Sequence, residues 1–514
     1  MLNDRRTITR ILFLVFLLIG LHSSYQQAGA QVDEITWSQP FNLSNSPLTS
    51  TDPFLLADPA GVAHLFWAEK VGNAPGNQPD TLMYSQWDGK NWSQPIDLFF
   101  APISDGNLVI GYPHAVLDEF GIIHLIWIAQ PNYPNYTLFY SSAPANQAQF
   151  VHAWKPRIAL TDNATGTKYS IHLAVSPPNT IHVIYASGAQ GIGRKEARGV
   201  AYLRSTDGGE TWSVAQSLYL VPVIEWGASD TRLLYEPPDN LYASWTVWDE
   251  TGNGRAIYFT RSLDQGINWE KAVPLTQIKS EDEYERDWNN MALLEPGHLV
   301  TMYEGGFAAY RNAMYSTDAG LTWTEPVDVF PRLIGENGFV EFARDSNNTL
   351  HLFYAQRNRT VSPARQNIPG SEETLWHSVW LGAAGWREPS ISGGYYAMIN
   401  PKVVIVSGNQ VVAAWYAPPD YDIIVMTGRI ETAPPLPKKN RTDNLFLERT
   451  PPSAPVTIES SRLGTLQPTL TPTPAIISTT VNKPMNPALL MLIAISPVFV
   501  IVILSLFARK LFSR

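Results

Sequence analysis

Ser205-Thr206-Asp207-Gly208-Gly209-Glu210-Thr211-Trp212 is the stretch on which the fold turns, because the chain repeats it. Ser262-Leu263-Asp264-Gln265-Gly266-Ile267-Asn268-Trp269 and Ser316-Thr317-Asp318-Ala319-Gly320-Leu321-Thr322-Trp323 have the same pattern, Ser-x-Asp-x-Gly-x-x-Trp, with the tryptophans 57 and 54 residues apart. The pattern describes a tight turn between strands. Asp accepts backbone N–H groups across the turn, Gly takes a positive φ, and Trp fills the gap between neighbouring sheets. Worn copies lie at Ser85 to Trp92 and Ser378 to Trp386, and Trp154 marks another.

A second element keeps phase with these turns. An apolar hairpin ending in an aromatic recurs at Phe54–Trp67, Ala115–Trp127, Ile171–Tyr185, Leu233–Trp245, Met291–Tyr303, Phe339–Tyr354 and Val403–Trp415. A period of roughly 50 to 60 residues suits one four-stranded sheet, and repeats of this kind predict an all-β propeller. Trp37 precedes the first hairpin, and the last hairpin has no such Trp after it. The segment around Trp37-Ser38-Gln39-Pro40 is therefore expected to supply the outer strand of the last sheet and close a ring. Seven hairpins predict seven blades, with six as the runner-up.

Composition narrows the function. The 514 residues carry 36 Lys plus Arg against 46 Asp plus Glu, a net charge of −10, which argues against a nucleic-acid partner. With no Cys, the chain has no disulfide, no thiol nucleophile and no Cys-ligated metal. His64, His124, His182 and His351 share one place in the repeat, which suggests packing or a turn hydrogen bond. No pattern calls for a metal or a cofactor.

The ends read differently. Arg5, Arg6 and Arg10, the apolar run Ile11–Leu21 and Ala28-Gly29-Ala30 have the layout of a secretory signal over residues 1–30. Residues 31–431 form the propeller. Residues 432–487, rich in Pro, Thr and Ser, read as an extended stalk. Residues 488–508 carry no charge and are long enough for one membrane-spanning helix, with Pro497 inside it, and 509–514 form a short basic tail. The expected placement is a single-pass membrane protein with its bulk outside and its C-terminus in the cytoplasm.

The three turns resemble the Asp boxes of the sialidase/neuraminidase superfamily and of the wider set of Asp-box (BNR-repeat) β-propellers, over roughly Asp33 to Glu431. The resemblance implies boxes on the face opposite the active site, and an active site of three arginines, a Tyr activated by Glu and an Asp acid/base. The family's early Arg-Ile-Pro is absent, and the first Arg after the signal segment is Arg157.

A ligand is expected at the upper face, where segments precede each hairpin and loops follow it. Arginines gather there, and a planar guanidinium suits a sugar carboxylate. Arg198, Arg255 and Arg311 recur just before the third strand of successive blades, where stacking and pairing with nearby acids is the plainer reading. For a pocket the candidates are Arg232, Arg286 and Arg311 on the anion, Asp230 or Asp287 as acid, and Tyr303 with Glu304 as nucleophile-like pair. Tyr303 also matches the core positions of Trp67, Trp127 and Trp245. Binding of a glycan or protein ligand is placed ahead of exo-α-sialidase chemistry, with a structural role in the cell envelope as a third reading.

Overall fold

The computed structural model describes residues 35–438 apart from 73–77, 102–109, 133–134, 162–169, 191–196, 278–285, 306–309, 331–338, 358–372, 396–398 and 418–420. The signal segment, the later part of the expected stalk, the expected membrane span and the basic tail lie outside the described residues. No described helix is long and apolar enough to cross a membrane. Apart from short 3-10 turns, the regular structure among the described residues is antiparallel β-sheet.

Strands Ser50–Ala57, Ala63–Glu69, Thr81–Trp87 and Ile96–Phe100 form a first four-stranded group, paired in chain order. The second group runs from Ile110 to Ala159, the fifth from Arg286 to Asp328 and the sixth from Val340 to Tyr395. The third (Ile171–Leu220) and fourth (Gly227–Gln277) are joined by a single pair, Ala197 opposite Ala228. A closing group, Ile399–Val406, Gln410–Ala417 and Asp422–Ile430, receives its outer strand from the other end of the chain. Ile35 pairs with Ile430 and Trp37 with Gly428. Innermost strands of successive groups touch, and the last touches the first. Leu55 and Leu65 accordingly share a core with Val412, Ala414 and Val425. The result is a β-propeller.

The sequence repeats explain how neighbouring sheets stay in step. Ser205 Oγ accepts the Gly209 N–H at 2.8 Å and donates to Asp207 Oδ1 at 2.7 Å. Asp207 Oδ1 in turn accepts the N–H groups of Glu210 and Thr211. The same bonds recur at Ser262 and Ser316. Each turn then packs onto the preceding group. Trp212, Trp269 and Trp323 stand edge-on to Tyr140, Tyr202 and Phe259, with centroids 5.0, 5.0 and 5.2 Å apart. A Cβ added at Gly209 or Gly266 would overlap the hydroxyl of Tyr140 or Tyr202.

Behind those tyrosines lies a second repeat. His64 Nδ1 meets Tyr84 Oη at 2.7 Å and its Nε2 meets Asp58 at 3.3 Å; His124, Tyr140 and Asp118 do the same. His182 joins Tyr202 to Ser176, and His351 joins His377 to Asp345. These histidines are buried and tie the hairpin turn to the third strand, as their common place in the repeat suggests. Burial, with the Arg204 charge, holds His182 down at about 3, so it is neutral.

The first residues of the expected stalk are packed. Ala433 is buried, its carbonyl accepts from Asn409, the Leu436 N–H donates to Ser407 O at 2.8 Å, and Lys438 Nζ donates to Asp88 O at 3.0 Å. This segment lies against hairpin turns of the closing, first and sixth groups, since Ser346 Oγ also donates to Pro434 O.

Gly266 and Gly297 separate two costs of a side chain at positive φ. Both sit near +75° and +71°, but a Cβ at Gly297 meets nothing within 4 Å. Gly297→Ala should cost about 1 kcal/mol, and Gly266→Ala about 1–3 kcal/mol more through the overlap with Tyr202. Equal losses in chemical denaturation would show that Tyr202 does not press on the turn.

Candidate functional site

Among the described residues, five of the innermost strands carry a β-bulge near their first residues. In the first group the register runs from Thr51 opposite Ala68 to Phe54 opposite Phe66, and equivalent shifts occur at Gly111/His114, Ser229/Arg232, Asp287/Asn290 and Ile399/Lys402. In each, the first bulged residue has a positive φ: Asp52 53°, Tyr112 53°, Asp230 55°, Trp288 53° and Asn400 48°. A non-glycine residue there is strained, and bulges re-aim side chains beside functional sites. The next position is Pro53, Pro113 or Pro401, or else a buried polar residue that stitches groups together. Thr231 N donates to Ser170 Oγ at 2.6 Å, and Asn289 Nδ2 donates to Thr246 Oγ1 and to Asp230 O.

Past the bulge position, some side chains at one repeat position meet counterparts in the neighbouring group. Phe54 and His114 have centroids 4.3 Å apart, and His114 and His172 3.9 Å. Arg232 lies 4.2 Å over the Phe339 ring and Lys402 5.7 Å from the same ring. Lys402 Nζ is paired with Glu341, and Asn290 donates to Val340 O. Two cations from different groups thus converge on one aromatic face. Both are half-buried.

The electrostatics follow from that enclosure. Burial, then the charges of His172, Arg232 and Lys402, push His114 well below the ordinary histidine value. His172 is likewise depressed by burial and by the two cations. The Nδ1 atom of each is buried without a well-formed hydrogen bond; the Leu173 backbone is the polar group beside that of His172. Asp52 moves the other way, up to about 6, because burial outweighs the Tyr112 N–H and the Lys402 charge. Gly111 lets this carboxyl approach, since a Cβ there would stand 2.8 Å from Asp52 Oδ2. The cluster therefore holds Arg232, the Lys402–Glu341 ion pair, an imidazole pair depressed below its ordinary value and a carboxyl raised to about 6.

The sequence candidates scatter. Arg198 donates to Val221 O at 2.7 Å and to the carbonyls of Val223 and Trp226, bracing the segment into the fourth group. Arg255 pairs with Asp249 in its own turn. Arg286 Nε donates to Thr276 Oγ1 at 3.2 Å. Arg311 is fully buried, 4.0 Å from Glu304 and 5.4 Å from the Tyr354 ring. Arg232 is the member of the five that faces the axial cluster, and Asp230 supplies the nearest opposing charge to it. Asp287 is buried opposite Glu304 in register, beside Arg311.

Tyr303 and Glu304 do not form a reacting pair. Neighbours on one strand point to opposite faces. Tyr303 is buried with Ile257 and Met314, while Glu304 faces Arg311. Burial raises the Tyr303 phenol, which disfavours its ionised form. Lys402 and Asn290 were absent from the sequence candidates; the signal that points to them is the bulge motif, a proline or buried polar residue one position earlier. No group of three or more His, Asp or Glu residues able to hold a metal occurs among the described residues.

Asp52 gives a pH test with a definite sign. Its folded value is raised from 3.8 to about 6, so its contribution is fully present below about 4 and is lost as pH rises through 6. Asp52→Asn should therefore melt higher than the parent at pH 8 and close to it at pH 4. Identical differences at both pH values would place the carboxyl outside the enclosed cluster.

No protein-family model matches the chain, and no curated protein is significantly similar to it in sequence. Solved structures are similar in fold. A polysaccharide lyase, an ulvan lyase bound to -[GlcA(1-4)Rha3S]-, is 13% identical with a TM-score of 0.51, covering 76% of this chain and 95% of its own. A Hadza microbial sialidase is 13% identical with a TM-score of 0.42, covering 78% of this chain and 96% of its own. An α-L-arabinofuranosidase from Fusarium graminearum is 14% identical with a TM-score of 0.44, covering 65% and 97%. This chain shares a β-propeller fold with the ulvan lyase.

Proposed function

We propose that the protein is a membrane-anchored, extracytoplasmic propeller of seven blades that binds acidic glycans at the upper mouth of its axial channel. The signal-like N-terminus, the Pro/Thr/Ser-rich segment and the uncharged stretch 488–508 support the placement. The four-stranded groups closed by Ile35–Trp37 support the blade count.

The observation that carries the ligand class is the convergence of Arg232 and Lys402 on Phe339. With Lys402 held by Glu341, the Arg232 guanidinium over Phe339 is the group offered to an anionic ligand. A sugar carboxylate suits this guanidinium, and the aromatic ring beside it suits the apolar side of a pyranose ring. Glycan-acting neighbours in fold are consistent with this reading.

Binding of the full chain to uronate- or sialate-bearing glycans should exceed binding to neutral isosteres. Arg232→Ala and Lys402→Ala should each lower affinity by about tenfold or more, as loss of a charge-assisted contact implies. Arg198→Ala and Arg255→Ala should leave it within a few-fold once folding is checked by thermal melting. Equal binding of neutral and acidic glycans would overturn the proposal.

A further inference from the structure

We propose that the face of the propeller opposite the bulges docks on the lipid bilayer that anchors the chain, so that the bulged ends of the innermost strands face away from it. This goes beyond the membrane-anchored reading and rests on it. In an antiparallel four-stranded group, the turn between the first and second strands and the turn between the third and fourth lie at one end, and the starts of the innermost strand lie at the other.

At the turn end, an exposed apolar side chain recurs in five successive groups. Phe150, Val214, Ile267, Leu321 and Leu381 each stand between a third and a fourth strand, with exposures from 47% at Phe150 to 93% at Val214. A single exposed apolar side chain is ordinary, so the recurrence carries the weight. The turns do not require it: Glu210 occupies in the first Asp-x-Gly turn the place that Ile267 and Leu321 occupy in the next two. The polar groups of these turns are already satisfied, since Asp207, Asp264 and Asp318 accept backbone N–H groups of their own turns.

Two observations favour lipid as the occupant. The chain leaves the propeller at this end. Leu436, itself 52% exposed, donates its N–H to Ser407 O in the hairpin turn of the closing group, and Lys438 Nζ reaches Asp88 O in a turn of the first. The uncharged stretch 488–508 follows in the sequence. A face tethered in this way meets the bilayer at high effective concentration, so weak contacts suffice. The second observation is the spacing. The apolar side chains stand one to a group with polar turns between them, and charges of both signs accompany them, Lys155 paired with Glu210 among these. A protein partner needs a contiguous apolar centre. Lipid headgroups part around separate side chains, which then enter the boundary with the acyl chains. Exposed apolar side chains also occur at the other ends of the strands, Leu220 and Ile224 among them, but the chain does not leave the propeller there.

The absence of cysteine makes the test direct, because an introduced cysteine takes a label alone. The full chain is placed in phosphatidylcholine vesicles whose acyl chains carry a nitroxide quencher, with a bimane label on Ile267→Cys, on Leu321→Cys or, as control at the other end, on Leu220→Cys. Quenching at the first two should exceed that at the control by about twofold or more, and should fall to the control level when Phe150→Glu and Leu381→Glu are added. These positions are exposed, and thermal melting checks that the fold is kept. A chain that floats with the vesicles but is quenched equally at all three positions, or more at Leu220→Cys, overturns the docking and leaves the anchored reading standing. A chain that does not float with the vesicles overturns both.

Discussion

Ile35–Trp37 against Gly428–Ile430 is the contact on which the ring depends. It closes a loop of nearly the whole described chain, and closing a loop of that length costs about 5 kcal/mol of chain entropy. The five backbone pairs that Ile35–Trp37 and Phe41–Asn42 make with the last strand do not offset this alone. The difference comes from side chains: Ile35 is buried in the core shared by the sixth and closing groups, and Trp37 Nε1 donates to Ser392 Oγ of the sixth group at 2.7 Å. Gly428 makes room for both, since a Cβ there would stand 2.7 Å from Ile35 and 2.8 Å from the Trp37 ring. Because the ring is closed, bulges on separate strands come to surround one axis, and residues remote in the chain become neighbours.

The second constraint is phase. A propeller needs successive sheets to meet at a constant offset, or the inner strands would not present equivalent residues to the axis. Tyr140, Tyr202 and Phe259 set this offset by seating the following turn, with its glycine and its Trp, at one height. Buried His124 and His182 hold the Tyr140 and Tyr202 hydroxyls in turn. Fixed polar partners in a desolvated setting specify a geometry more narrowly than apolar packing does. The same fixity reaches the axis through Ser170, Thr231 and Asn289, which lock the bulges beside Arg232 and Asn290.

Much of this was legible in sequence because it is local. Ser205-x-Asp207-x-Gly209-x-x-Trp212 forms within eight residues, and its chemistry can be read without knowing what surrounds it. Closure by Trp37 was legible by counting. The axial cluster was not. Phe54, His114, His172, Arg232, Glu341 and Lys402 share a position but no chemistry, and which face each side chain takes depends on a bulge that shifts the period-two alternation. Without that shift Arg232 and Arg311 look alike. In the structure one lies over Phe339 at the axis, and the other is sealed between sheets with Glu304 and Tyr354. The arginines at the starts of third strands were overweighted for a related reason. A long side chain near a strand end finds carbonyls or a turn carboxylate first, as Arg198 and Arg255 do.

The strain at the bulges bears on function. Left-handed backbone at Asp52, Tyr112, Asp230, Trp288 and Asn400 costs on the order of 1 kcal/mol or more at each. Glycine would relieve it, and glycine occupies the tight turns elsewhere in the chain. Side chains are kept at these five positions at a standing cost in stability. Two are carboxylates flanking the cations, and one is the Trp288 indole, edge-on to Phe339 with centroids 4.8 Å apart. A scaffold needing only closure would gain from replacing them. The strained positions thus hold charged and aromatic side chains in fixed places around the axis, with little reorganisation left to them.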